Sequence, residues 1–247
     1  MLRSADALRS LRDRPRRVVA VFAHPDDEAY GCSGQLARAA ARDDTATVLL
    51  CLTSGEASTG FVDQGLGRDE IARLREGRME RVAERLGVDG LLLPRLPDGR
   101  MAREPLSVLG DTVGEVLDAL EPQVVISHDP RGVNGHPDHI AAHWAVRRGM
   151  EGRGARRFAM LVYLQEMADA VHPRLLFATP ESAVDAVVTL DATEARAKED
   201  CLRIHEALVT VLEDGPEDLL RRPAVERYDF LGETLSPPVT DVFEGLG

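Results

Sequence analysis

The chain has 247 residues, 44% of them hydrophobic, which is enough for a sizeable core and too aliphatic for intrinsic disorder. Thirty Lys plus Arg against 42 Asp plus Glu leave a net charge of −12, which disfavours nucleic acid and anionic membrane surfaces as partners. The longest apolar runs, such as Val48 to Leu52, fall far short of the ~18 residues of a membrane span. Three scattered cysteines, Cys32, Cys51 and Cys201, fit neither a disulfide framework nor a CxxC metal site. Met1 to Arg17 lacks the continuous apolar stretch of a secretory signal, so a reducing, cytoplasmic setting is expected.

In chain order, Arg16 to Ala23 is a β-branched run ending in a polar cluster, the pattern of a buried strand whose C-terminal end meets solvent. A Gly31/Gly34 turn leads into a helix over Ser33–Arg42. Ala46–Thr53 reads as the next strand, and Ser54 to Gly67 as a glycine-rich polar loop expected to border a site. From Asp69 to Leu86, apolar residues such as Ile71, Leu74, Val82 and Leu86 recur at helical steps, and Gly87 sits where a helix C-terminus favours it. Leu91–Leu93 is a short strand, Val108–Leu120 a helix, and Val124–Ser127 a buried strand introduced by Pro122. Beyond Trp144, strands are expected near Ala159–Leu164 and Val184–Leu190, then a helix from Thr193, its expected cap, to Val211. The tail after Pro237 is expected to be loose. This βα alternation implies an α/β fold, a Rossmann-like, mostly parallel sheet with helices on both faces, in a single domain over residues 1–247. Ligands of such sheets bind beyond the strand C-termini.

Two polar clusters follow buried strands directly: His24-Pro25-Asp26-Asp27-Glu28, and His128-Asp129 with His136-Pro137-Asp138-His139. A His, a carboxylate and a second His from two such loops are the ligands a catalytic divalent metal needs while keeping positions open for water. Spacing alone leaves the second histidine open, because His136, His139 and His143 also share a helix face and form a rival three-histidine set. The structural alternative is a group of hydrogen-bonded histidines and helix-capping aspartates. Glu28 reads equally as an acceptor for a ligand histidine and as a helix-start carboxylate, and His128 and Asp129 as support for His139 or as simple turn formers. His172 reads as a surface turn and His205 as part of a helix face. Cys32 beside Tyr30 reads as a small buried filler. Gly31 and Gly34 do not complete a G-x-G-x-x-G turn, and the charges around them argue against a nucleotide.

Ala23-His24-Pro25-Asp26-Asp27-Glu28 with Gly31 and Gly34, Thr53-Ser54-Gly55-Glu56, and Gly135-His136-Pro137-Asp138-His139 together resemble the PIG-L/LmbE-like family of zinc-dependent deacetylases, which act mostly on N-acetylglucosamine conjugates. Arg75, Leu86-Gly87-Val88 and Leu96-Pro97-Asp98-Gly99 resemble the segment between the two motifs, and Lys198 and His205 resemble the C-terminal helix more loosely. The resemblance implies an LmbE-like fold, with His24, Asp27 and His139 as ligands of Zn2+ (Fe2+ being the alternative) and Asp26 as general base. It implies His136 as electrophilic helper and Arg75 as a substrate contact. Two departures stand out. Arg78 replaces a common Glu, expected to alter a helix-surface contact, and Asn134 occupies a place where some relatives carry a tyrosine that assists catalysis.

An amide resists hydrolysis because water is a weak nucleophile and an amine a poor leaving group. A metal that acidifies water, with Asp26 free to move the proton, answers both. His136, if protonated, stabilises the oxyanion, and Asp138 is expected to orient or charge it. The expected function is therefore removal of an acetyl group from an amino-sugar conjugate, a small-molecule partner, with monomer and homo-oligomer both open. The competing readings are a two-histidine, one-carboxylate non-haem iron enzyme and a non-catalytic metal-binding module.

Overall fold

The computed structural model describes residues 1–62, 65–171, 176–205 and 225–246. Its strands are β1 (Arg16–Phe22), β2 (Thr45–Cys51), β3 (Gly90–Leu92), β4 (Val124–His128), β5 (Arg157–Leu161), β6 (Ala186–Thr189) and β7 (Val225–Phe230). They form one sheet in the order β3-β2-β1-β4-β5-β7-β6. The first five run parallel, and β7 is antiparallel to both β5 and β6.

A strand covered on both faces needs apolar side chains in both directions, and β1 supplies them. Val18, Ala20 and Phe22 enter one core with Leu36, Met79, Val82 and Leu202, whereas Val19, Val21 and Ala23 enter the other with Val113, Leu117 and Ala142. The helices Ser33–Ala40, Arg68–Leu86 and Ala192–His205 cover the first face, and Leu106–Leu120 and Pro137–Met150 the second. From β1 the chain moves outward to β2 and β3, then returns to place β4 on the opposite side of β1, with Val18, Val19 and Ala20 in register with Val124, Val125 and Ile126. The order therefore reverses between β1 and β4, and the loops leaving these two strands diverge around a crevice. Two motifs about a hundred residues apart in sequence are thus brought to the same sheet edge.

The observed elements follow the expected order, with boundary shifts and three differences. Asp191, not Thr193, caps the Ala192–His205 helix, its Oδ1 accepting the amides of Thr193 and Glu194 at 2.8 Å each. The rest of the helix expected to Val211 lies outside the described residues, as does His172. The tail after Pro237 is held: Val239 bridges to Ala186, and Val242 and Phe243 are buried in the core. Strand β7 was not expected, because Glu226, Arg227 and Asp229 mask an alternation in which Glu226, Tyr228 and Phe230 point inward. Buried Glu226 is satisfied by the amides of Gly34 and Gln35 at 2.9 and 2.8 Å, so the last strand caps the first long helix across the fold.

Gly34 marks this junction for a steric reason as well. A Cβ there would lie 2.2 Å from Leu190 Cδ1 and 2.9 Å from its Cγ, in a buried setting. Gly34→Ala is expected to destabilise the fold by about 1–3 kcal/mol through overpacking, more than the ~1 kcal/mol alanine gains in a helix. A urea midpoint equal to or above that of the parent protein would contradict this packing.

Candidate active site

The His24-Pro25-Asp26 turn leaves the buried end of β1 and enters a short helix, Asp27–Gly31. Asp27 Oδ2 accepts the backbone amide of His24 at 2.9 Å, so the three-residue spacing closes a turn. Between them Asp26 has φ 130°, ψ −22°, a conformation costly for a non-glycine residue. At the end of β4, Asp129 closes a second turn, its Oδ1 accepting the Val133 amide at 2.6 Å and its Oδ2 the Arg131 Nε at 2.8 Å. That turn passes through Gly132 and Val133, at φ 66° and 65°, and delivers His136 to the N-cap of the Pro137–Met150 helix.

The two turns place His24 Nδ1 and His139 Nε2 3.0 Å apart. Asp27 completes the group, with Oδ1 3.2 Å from His139 Nε2 and Oδ2 3.7 Å from His24 Nδ1. Ligands about 2.0–2.2 Å from one tetrahedral ion stand roughly 3.3–3.6 Å from each other, and the side chains that converge closely enough for one cation include His24, His136 and His139 on one side and Asp27, His128 and His139 on the other, with His139 shared. The tautomers point the same way. His139 Nδ1 lies 3.1 Å from the Gly132 carbonyl oxygen, which can only accept, so Nδ1 carries hydrogen and Nε2 presents a lone pair. His24 Nε2 faces Asp98 Oδ1 at 3.2 Å and Asp138 Oδ2 at 3.5 Å, which makes it the donor and turns the Nδ1 lone pair inward. Two lone pairs facing each other repel unless positive charge lies between them.

The surrounding charges reinforce this demand. Burial alone would lower the His24 pKa, but hydrogen bonds to Asp138 and Asp98 and the charge of Asp27 push it up to about 10. Burial would raise Asp27, yet His139 and His128 hold its carboxyl well below the usual carboxylate range. Asp26, next in the chain, is pushed up to about 6, chiefly by burial against the pull of Arg75. His128 is lowered to about 4 by burial and by His139; it stacks on His139 with ring centroids 4.1 Å apart and faces Asp27 Oδ2 at 3.2 Å. Burial and then the charges of His24 and His139 lower His136 as well.

His24, Asp26, Asp27, Arg75, Asn134, His136 and His139 line one open cavity of about 1120 Å3, bordered also by Ala57, Ser58 and Thr59 of the glycine-rich loop. Two other expectations need correction, and one rival reading falls away. Asp138 is buried behind His24, accepting the Gly99 and Met101 amides at 2.7 and 3.1 Å, and only its backbone amide reaches His136, at Nδ1. Because Nδ1 accepts there, the neutral His136 ring carries its hydrogen on Nε2. The rival three-histidine set does not assemble: His143 Nδ1 donates to the His128 carbonyl at 3.0 Å, and its ring packs on Phe158 and Trp144. Arg78 is buried rather than on the helix surface, and donates to the His205 carbonyl at 2.9 Å.

Arg75 lines the cavity, but its guanidinium is engaged with the protein, donating to the carbonyls of Pro25 and Gly55 and to Asp26 Oδ2. Glu28 contacts neither His24 nor His139; it accepts from buried His205. Gly31 and Gly34 serve close packing, since a Cβ at either would collide with Leu161 or Leu190. Cys32 is a buried free thiol whose pKa burial raises well above normal, in keeping with a filler. Sequence reasoning passed over Asp98, quoted only within the Leu96–Gly99 loop. Its readable signal was a Pro-Asp-Gly turn following a short strand.

Residues 19–150 match the family described as PIG-L: GlcNAc-PI de-N-acetylase. The chain is 29% identical to the 1D-myo-inositol 2-acetamido-2-deoxy-alpha-D-glucopyranoside deacetylase of Mycobacteroides abscessus, over 94% of this chain and 98% of that protein. It is 33% identical to the protein of the same name from Kineococcus radiotolerans, a match covering 58% of this chain and about half (48%) of the relative's length. Among solved structures, N,N'-diacetylchitobiose deacetylase from Pyrococcus horikoshii, in complex with its inhibitor, superposes with a TM-score of 0.65 at 17% identity, covering 91% of this chain and 88% of that one. At that identity the likeness speaks for the fold.

The three engagements of Arg75 carry a measurable consequence. Arg75→Met would strand two buried carbonyls and half-buried Asp26, and is expected to lower stability by about 3 kcal/mol. Arg75→Lys should recover little of this, because one ammonium cannot span the three acceptors. A thermal melt of Arg75→Met matching that of the parent would show that these contacts contribute nothing.

Proposed function

The chain belongs to the PIG-L family, and from that premise we propose that it is a metal-dependent hydrolase that removes the acetyl group from an N-acetylglucosamine-type conjugate. The observation that carries this reading is the convergence of His24 Nδ1 and His139 Nε2 to 3.0 Å beside Asp27. Those three residues would hold Zn2+, with Fe2+ as the alternative metal for the same ligands. When bound, the ion supplies Lewis-acid polarisation of the amide carbonyl and an acidified water.

The remaining roles fall to the chain's own groups. Asp26 stands beside the ligands without sharing their hydrogen bonds, and its contact with Arg75 fixes its carboxylate. It takes the proton of the attacking water and returns it to the departing nitrogen, so that the amine leaves neutral. His136 donates from Nε2 to the oxyanion, a contribution typically of about 3 kcal/mol, and needs no extra proton to do so. Asp138 serves indirectly, holding His24 with its carboxylate and the His136 tautomer with its backbone amide. Arg75 and Asn134 sit on the cavity wall where the sugar would lie, Arg75 acting mainly through the Asp26 turn.

The family match and the relatives' names support an amino-sugar substrate for this site. We place the reaction in a single domain built on the one sheet, and in the cytoplasm, a setting that suits three free buried cysteines. Among the described residues no helix is long and apolar enough to cross a membrane. A proton-accepting carboxylate beside the ligands favours hydrolysis over an iron oxygenase or a passive metal module.

Zinc-loaded protein should release acetate and a free amine from the pseudo-disaccharide of N-acetylglucosamine and inositol or from N,N'-diacetylchitobiose, and chelation should abolish this until Zn2+ is restored. Asp26→Asn should retain the metal and lose at least ~100-fold in kcat, whereas Asp27→Ala should lose the metal. Full turnover by Asp26→Asn, or activity indifferent to chelation, would end this assignment.

A further inference from the structure

Asp26 is held from two sides, by the Arg75 guanidinium on its carboxylate and by a second contact on its backbone amide. On the other side its backbone amide donates to Glu28 Oε2 at 3.2 Å. The second oxygen of Glu28, Oε1, lies 2.6 Å from His205 Nε2, with Glu28 only 1% and His205 6% exposed. His205 is the last described residue of the Ala192–His205 helix, and the Arg78 guanidinium grips its carbonyl at 2.9 Å. A chain of hydrogen bonds therefore runs from the Arg68–Leu86 helix through the end of the Ala192–His205 helix to the amide of Asp26.

We propose that Glu28 and His205 form a positioning pair that keeps Asp26 in its left-handed conformation with the carboxylate turned to the cavity. The inference rests on the reading of Asp26 as the proton carrier. A backbone at φ 130° costs about 1–3 kcal/mol and persists only where its surroundings over-determine it. Arg75 fixes the Pro25 carbonyl and the Asp26 carboxylate, and Glu28 fixes the amide between them. The pair also explains a buried carboxylate so close to Asp26 and Asp27. His205 Nε2–H satisfies one of its oxygens and the Asp26 amide the other, so Glu28 serves the turn without presenting its charge to the cavity. Removing the imidazole leaves Glu28 without its partner and free to rotate away from the amide.

The test compares His205→Leu, which removes the donor, with His205→Gln, whose side-chain amide can still donate, both in the zinc-loaded protein. For His205→Leu we expect kcat to fall about 10–100-fold with KM within threefold of the parent and metal content unchanged. His205→Gln should recover most of the loss. Independently of activity, exchange of the Asp26 amide hydrogen should quicken in His205→Leu and in Glu28→Gln and return towards the parent rate in His205→Gln. Parent-like kcat in a folded His205→Leu, a loss confined to KM, or an Asp26 exchange rate indifferent to all three substitutions would overturn the pair. If the parent protein hydrolysed no N-acetyl amino sugar while Asp26 exchange still answered to His205, the assigned reaction would fall and the positioning pair would stand.

Discussion

Two imidazole nitrogens brought to 3.0 Å of each other form an arrangement that a protein keeps only with a positive charge between them, whether a proton or a metal ion. Every neighbouring contact bears on it. The outer nitrogen of His24 is tied to Asp98 and Asp138, that of His139 to the Gly132 carbonyl, so neither ring can flip to relieve the repulsion without breaking a buried hydrogen bond. Asp27 cannot withdraw either, since one of its oxygens accepts the His24 amide and faces His128. Three carboxylates therefore crowd a mostly buried pair of rings. Burial of that much negative charge calls for positive charge among the rings, a proton on His24 or a bound cation.

The fold provides this arrangement through topology. The two motifs lie at the C-terminal ends of β1 and β4, which are neighbours in the middle of the sheet because the strand order reverses between them. Each motif begins at the last buried residues of a strand fixed on both faces by apolar packing, so little loop separates the site from the cores. The glycine-rich loop after β2 borders the crevice from one side, and the Ala192–His205 helix, tied to β7 through Lys198 and Glu226, borders it from the other. Of the three candidate ligands, His24 leaves the end of β1 directly, while Asp27 and His139 stand in the first turns of the helices that follow β1 and β4.

Much of this was legible beforehand. Hydrophobic runs in Val18–Val21 and Val124–Ile126 marked parallel strands, and polar clusters directly after them marked the functional edge. Which contacts each polar side chain would make was less legible. Asp138 is two residues from His136 in sequence, yet a helix start sends its carboxylate towards His24 and the loop at Gly99. His205 and Glu28 are 177 positions apart and meet only because two helices cover the same face. Strand β7 hid behind charged residues whose burial is explained by partners elsewhere, above all Glu226 under the amides of Gly34 and Gln35. In each case the missing information was a long-range hydrogen bond, which composition and periodicity do not encode.

Asp26 and Asp27 show what such bonds accomplish. The two carboxylates are consecutive and chemically identical. The left-handed turn at Asp26 separates them. Asp27 accepts the His24 amide and faces His139 and His128, which hold its carboxyl well below the usual range, whereas Asp26 sits near Arg75 and is pushed in the opposite direction by burial and by its neighbour's charge. Environments that drive two carboxyl groups apart in this way suit one to a fixed ligand and the other to moving a proton. The strained turn at one residue thus gives a repeated amino acid two environments, and Arg75 and Glu28 contact it from opposite ends.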